Sequence, residues 1–209
     1  MTTFKWGFVG AGMIAKKALY PAISRSNVGE IYAVASRDAD KAMTISPKGK
    51  IYTDYDQLFA DPEVDAVYIS LPNAFHLPVA IRAMKAGKHV LCEKPFAMNV
   101  AEIELMVEAA RKNDRLLVEA VWSRWHPRMI RVVDYVKAGN IGEVISIESS
   151  FTFPGSIDGN YRAVPAMGGG ALFDVGVYPL HAIAALVGDD ARVEIENFDV
   201  SVGPTGVDL

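Results

Sequence analysis

A rhythm limits the fold more than any single residue does. Short apolar runs rich in β-branched and aromatic residues alternate with amphipathic stretches through the first half of the chain. That is the pattern of βαβ units building a parallel sheet. Lys5–Gly10 reads as a first strand and Met13–Ser24 as a helix, with Ile14, Ala18, Leu19 and Ala22 near one face. Ile31–Ala35 and Ala66–Leu71 read as further strands, the latter bounded by Pro72. Phe75–Ala86 is a predicted helix stopped by Gly87, the usual residue past a helix end. His89–Cys92 is the next strand, Val100–Asp114 the longest helix with Asn99 as its cap, and Leu116–Ala120 closes this half. Between the second strand and Tyr52 the chain is short and holds Pro47 and Gly49, so that βα unit is expected to be abbreviated or disordered.

The pattern changes near Trp122. Trp122-Ser123-Arg124-Trp125-His126-Pro127 reads as a crossing point, followed by a helix over Met129–Ala138. Val144–Phe153 alternates as a long strand should in an antiparallel sheet with one covered face. Gly168-Gly169-Gly170 leads into a helix running to about Val187, and Val193–Val202 reads as a last strand. The expected fold class is α/β: a doubly wound parallel sheet of Rossmann type over 1–122, then an α+β domain with a mostly antiparallel sheet over 123–209.

Composition excludes several functions. The 209 residues carry a net charge of −4 and no run of Lys and Arg, so no electrostatic footprint for nucleic acid exists. No apolar run is expected to approach the roughly 18 residues needed to cross a bilayer, and Met1–Lys5 lacks a signal-peptide pattern. The one cysteine, Cys92, excludes an internal disulfide framework and reads as a small apolar strand residue. His76, His89, His126 and His181 are scattered, so no metal site is expected. A cytoplasmic address fits all of this.

The first turn carries chemistry. Gly10-Ala11-Gly12-Met13-Ile14-Ala15 has the form Gly-x-Gly-x-x-Ala between a strand and a helix. Gly10 permits the tight turn, Gly12 lets a pyrophosphate approach the backbone, and small Ala15 lets the helix pack close to its strand. The anion then rests on unsatisfied amides at the helix N-terminus, near Met13 and Ile14. An NAD site usually offers a carboxylate where the second strand ends; this chain has Ala35-Ser36-Arg37 instead. A hydroxyl and a guanidinium suit a 2′-phosphate, which favours NADP, with NAD as the alternative. Asp38 reads as a cap for the next helix.

A second motif lies at the end of a later strand. Val90-Leu91-Cys92-Glu93-Lys94-Pro95 closes an apolar run with a carboxylate, an ammonium and a proline, at the edge where α/β sheets bind ligands. Gly10-Ala11-Gly12, Glu93-Lys94-Pro95 and Gly168-Gly169-Gly170-Ala171-Leu172-Phe173-Asp174-Val175-Gly176-Val177-Tyr178 appear in the order seen in the glucose-fructose oxidoreductase / inositol dehydrogenase family. The resemblance runs from the first strand to about residue 202. Tyr178, where many relatives have histidine, resembles the branch of dimeric dihydrodiol dehydrogenase and the sugar dehydrogenases. The resemblance implies an NAD(P)-dependent oxidoreductase acting on a sugar, polyol or vicinal diol, or the matching carbonyl. Two other readings stand beside it: a dinucleotide-binding sensor or assembly protein without turnover, and a glycosidase of the same family that uses its cofactor transiently.

Asp174, Tyr178 and His181 are spaced +4 and +7, which lines them along one helix face. A phenol beside an ammonium loses its proton more readily, so Tyr178 with Lys94 could shuttle the hydroxyl proton. Which of the two is the donor stays open, and Asp174 would orient the substrate hydroxyl or Lys94. His181 reads as structural. The resemblance adds cofactor contacts at Leu71, Asn73, His76 and Glu93, a nicotinamide-side segment at Trp122 and Arg124, and Arg162 near cofactor and substrate. Trp125 reads as core. Relatives carry a larger second domain, so the chain is expected to be a fragment or to replace missing strands with partner contacts, as a homo-oligomer through the second-domain sheet.

Overall fold

The computed structural model describes residues 3–45, 49–153, 159–188 and 191–209. They form two compact units, Met1–Ala120 and Val121–Leu209.

The first unit is a six-stranded, all-parallel sheet. Its strands are β1 (Lys5–Val9), β2 (Glu30–Ala35), β3 (Lys50–Tyr52), β4 (Ala66–Ile69), β5 (His89–Cys92) and β6 (Leu117–Glu119). Their order, β3-β2-β1-β4-β5-β6, is that of the doubly wound dinucleotide-binding fold. The helices are α1 (Tyr20–Arg25), α2 (Ala39–Met43), α3 (Tyr55–Ala60), α4 (His76–Lys85) and α5 (Val100–Asn113). Period-2 side chains divide the core between the two faces. Val67 and Ile69 of β4 join Val79, Ala83, Met84 and Met106, whereas Phe8, Val34 and Tyr68 join Ala15, Ile23 and Ile45. Each fully buried large side chain here contributes about 1.5–3 kcal/mol relative to exposure. Cys92 is fully buried in β5, as a small strand residue should be.

Most of these elements follow from local signals. Asn99 caps α5 by accepting from the Glu102 amide, and Gly87 follows α4 in the left-handed region at φ 82°. The β2–β3 connection is abbreviated, as expected: five-residue α2, then three-residue β3, with Ser46, Pro47 and Lys48 outside the described residues. The helix over 13–24 is not uniformly α. A π-turn occupies Ala15–Leu19, with the Tyr20 amide bonding to Ala15 O, before α1 begins. Pro21 lies just beyond; it has no amide to give and crowds the carbonyl four residues back, which favours the wider turn.

In the second unit, α6 (Trp122–Trp125) and α7 (Pro127–Lys137) are followed by a π-turn at Leu172–Gly176 and α8 (Val177–Val187). That π-turn also precedes a proline, Pro179. Two expectations fail here. Val144–Phe153 and Val193–Val202 carry no strand pairing beyond the isolated bridge Val202↔Asp208 among the described residues. Alternation says which side chains would share a face, but a strand exists only as a paired ladder. Ile145, Ile195 and Phe198 stand exposed at 86, 80 and 84%. Trp125, expected in a core, is exposed as well. Pro165–Val187 is also long and apolar enough, by length and composition alone, to cross a membrane, which the sequence reading did not anticipate. It is no single α-helix: Gly168 and Gly170 break it at φ 76° and 114°.

Candidate active site

The C-terminal ends of the strands form a row. One residue past five of the six strands, an amide bonds to the neighbouring strand: Ser36 N to Tyr52 O, Gly10 N to Ala35 O, Ser70 N to Val9 O, Glu93 N to Ile69 O and Ala120 N to Cys92 O, all at 2.7–3.0 Å. The ladder therefore brings Ser36, Gly10, Ser70 and Glu93 side by side on one edge. The order reverses between β1 and β4, and open α/β sheets bind ligands outside such a switch point.

At that point the two motif glycines differ in kind. Gly10 has φ 92°, and a Cβ there would lie 2.8 Å from Ser70 O, so the fold itself requires glycine. Gly12 has neither constraint: a Cβ would make only an ordinary 3.6 Å contact with Ser70 O. The space over Gly12 is left open by the protein, as a closely approaching ligand needs. Met13 and Ile14, exposed at 69 and 48%, begin the helical run there, and Ala15 is fully buried against the sheet.

At the end of β2, Ser36 is buried and its Oγ accepts from the Asp38 amide at 3.2 Å. Asp38 caps α2 by accepting from Lys41 N at 3.1 Å and pairs with the Lys41 ammonium, so its carboxylate is already engaged. These bonds hold its carboxyl below the usual range. Arg37 between them is exposed.

Past β4 and β5 two loops are clamped together. His76 has no exposed surface; Nδ1 lies 2.9 Å from Pro95 O and Nε2 3.0 Å from Leu71 O. Asn73 is also buried, and Leu71 is half-buried. His76 and Asn73, expected as cofactor contacts, are both buried, and His76 ties the two loops together. Glu93 is half-buried: Oε1 accepts from Tyr68 Oη at 2.5 Å and Oε2 from Lys94 N at 3.3 Å. Burial pushes its carboxyl up, against the pull of the Tyr68 phenol and Lys94. Lys94 is half-buried at the same edge.

In the second unit, Arg162 and Asp174 form an ion pair, Nε to Oδ2 at 2.8 Å, and the Arg162 guanidinium also lies over the Tyr161 ring. The triple glycine makes that pairing possible. Gly169 N bonds to Val164 O and Gly170 N to Arg162 O, and a Cβ on Gly169 would strike Arg162 O. From the far end of the sequence, Asp208 Oδ2 accepts from Leu172 N at 2.5 Å and Asp208 O from Ala171 N at 3.1 Å, capping the helical run that carries Asp174 and Tyr178. Tyr178 stacks on Phe151 with ring centroids 4.9 Å apart and lies 6.0 Å from the exposed Trp122 ring. Arg124 lines a cleft of ≈ 180 Å³ with Met129, Val133 and Ala184. Tyr68, Phe151 and Asp208 were missed by sequence reasoning. Their partners lie 25 or more positions away, so no local pattern marks them.

Comparison with known proteins decides the family. Residues 4–120 match the model of an oxidoreductase family with an NAD-binding Rossmann fold, and 129–207 match the C-terminal domain of the same GFO/IDH/MocA family. The chain belongs to the GFO/IDH/MocA family. It is 37% identical to dTDP-3,4-didehydro-2,6-dideoxy-alpha-D-glucose 3-reductase of Actinomadura kijaniata, over 88% of this chain and 56% of that protein. It is 34% identical to trans-1,2-dihydrobenzene-1,2-diol dehydrogenase of Danio rerio, over 98% of this chain and 62% of that one. The crystal structure of KijD10, a 3-ketoreductase from Actinomadura kijaniata in complex with NADP and TDP-benzene, superposes with a TM-score of 0.85 at 37% identity, covering 90% of this chain and 59% of KijD10. The chain spans a little over half the length of these GFO/IDH/MocA relatives. The Gly10–Gly12 turn and Glu93-Lys94-Pro95 fall in the Rossmann match; the triple glycine, Asp174 and Tyr178 fall in the C-terminal one.

Proposed function

We propose that this chain is the cofactor-binding and catalytic part of an NADP-dependent oxidoreductase acting on a sugar, polyol or vicinal diol, or on the corresponding carbonyl compound. The observation that carries the reading is the opening over Gly12, where, among the described residues beyond its chain neighbours, a Cβ would meet only Ser70 O at 3.6 Å, at the switch point of the sheet. Amides at the start of the helical run from Met13 suit a pyrophosphate, and Arg37 with Ser36 suits a 2′-phosphate. Asp38, committed to its cap and to Lys41, is poorly placed to compete as a ribose ligand. The relatives' named activities, a sugar 3-reductase and a diol dehydrogenase, support the substrate class.

When bound, NADP supplies the hydride acceptor or donor. The chain's own residues handle the proton at the substrate oxygen. Lys94 and Tyr178 are the two groups that would take it from a hydroxyl or give it to a carbonyl, with Asp174, anchored by Arg162, orienting the hydroxyl or Lys94. Such acid–base help is worth about 10²–10⁴ in rate. Leu71, Glu93, Trp122, Arg124 and Arg162 would border the cofactor. The same reading takes the protein to be cytoplasmic, with a free buried thiol at Cys92, and to self-associate through a second-domain sheet, in support of which Val193, Ile195, Phe198, Val200 and Val202 are exposed.

The test is a panel of sugars, polyols, vicinal diols and dicarbonyls assayed with NADP or NADPH. Net NADPH production from an alcohol, or consumption with its carbonyl, is the expected result. NADP binding with no turnover across the panel would favour a dinucleotide sensor, and glycoside cleavage without net NADPH would favour the glycosidase.

A further inference from the structure

Tyr68 of β4 plays no part in the reaction as read above, yet its phenol reaches the crevice edge at Glu93. It is 1% exposed, its ring lies edge-on to Phe8 with centroids 5.2 Å apart, and its phenol reaches Glu93 Oε1 at 2.5 Å. With Oε2 on the Lys94 amide, both oxygens of Glu93 are held. We propose that Tyr68 is a positioning residue of this site, orienting the Glu93 carboxylate beside Lys94 so that a fixed negative charge faces the crevice. The proposal rests on the oxidoreductase reading for its consequence, but not for the coupling itself.

The physical reason is the cost of a half-buried carboxylate. Burial favours its neutral form, and so does the Glu119 carboxylate facing it from β6. The Tyr68 phenol from β4, the Lys94 amide and the Lys94 ammonium oppose them. The buried Cys92 thiol, which Glu93 and Glu119 help push up, adds no charge. Losing the phenol therefore shifts the balance toward a protonated Glu93, which no longer presents a full charge. A phenylalanine keeps the ring against Phe8 and removes only the hydroxyl.

The experiment compares wild type with Tyr68→Phe, both with ¹³C-labelled glutamate carboxyls, the Glu93 signal being assigned by its loss in Glu93→Gln. The expected result is a Glu93 titration midpoint at higher pH in Tyr68→Phe. NADPH affinity, read by fluorescence, should fall roughly tenfold near pH 6, the size of one hydrogen bond to a charged group, and recover as pH rises. An unmoved midpoint overturns the proposal. A moved midpoint with equal NADPH affinities at every pH overturns the positioning role. If neither protein binds NADPH, the oxidoreductase reading fails, and the midpoint alone decides whether Tyr68 holds Glu93.

Discussion

His76 Nδ1 stands 2.9 Å from the Pro95 carbonyl oxygen, one residue past Lys94. The other ring nitrogen meets Leu71 O, so a single imidazole ties together the loops after β4 and β5. One ring proton serves only one carbonyl. Donating to both takes imidazolium, which the two carbonyls favour and burial opposes; burial wins, and the group lies below its ordinary value of 6.5.

This sets a pH dependence. Below pH 6.5 the unfolded chain takes up a proton that the buried ring resists, so stability from neutral His76 is complete above that value and is lost as pH falls beneath it. Thermal melts from pH 8 to 5 are expected to show a steeper acid decline for wild type than for His76→Gln. Parallel curves would remove His76 from the account.

Cofactor choice is predicted to rest on Arg37. Arg37→Ala should weaken NADP binding by about tenfold or more, the loss of a charge-assisted contact, while changing NAD binding less than about twofold. Calorimetric titration with both dinucleotides reads the difference. Equal losses for the two would refute the 2′-phosphate assignment.

The two motif glycines should separate stability from binding. Gly10→Ala meets both a positive φ and Ser70 O, and is expected to cost about 1–3 kcal/mol of stability. Gly12→Ala should leave the melting temperature within a degree or two, since its Cβ is free of strain. Dinucleotide affinity should nevertheless drop at least tenfold. A Gly12→Ala protein that binds NADPH normally would contradict the pyrophosphate placement.

Much of the first unit was readable because its signals are local. Apolar runs gave β1, β2, β4, β5 and β6, Asn99 marked α5, and Gly-x-Gly-x-x-Ala marked the crevice. Helix α3 was not read, since its six residues are too few for a clear period. The π-turns at Ala15–Leu19 and Leu172–Gly176 escaped because a proline two or three residues on reads as a kink, not as a change of register. In the second unit, alternation at Val144–Phe153 and Val193–Val202 suggested strands, but pairing depends on a partner that the run itself does not encode. Among the site residues, the strand-tip position of Glu93 and Lys94 was legible. The burial of His76 and Asn73, the Arg162–Asp174 pair and the Asp208 cap depend on long-range approach and were not.

The most direct test is Lys94→Ala, assayed in parallel for NADPH binding and for turnover of whichever diol or sugar the wild type oxidises. Affinity should stay within about threefold while kcat falls by about 10²–10⁴, the size of an acid–base contribution. Turnover equal to wild type would take Lys94 out of the mechanism and contradict the account.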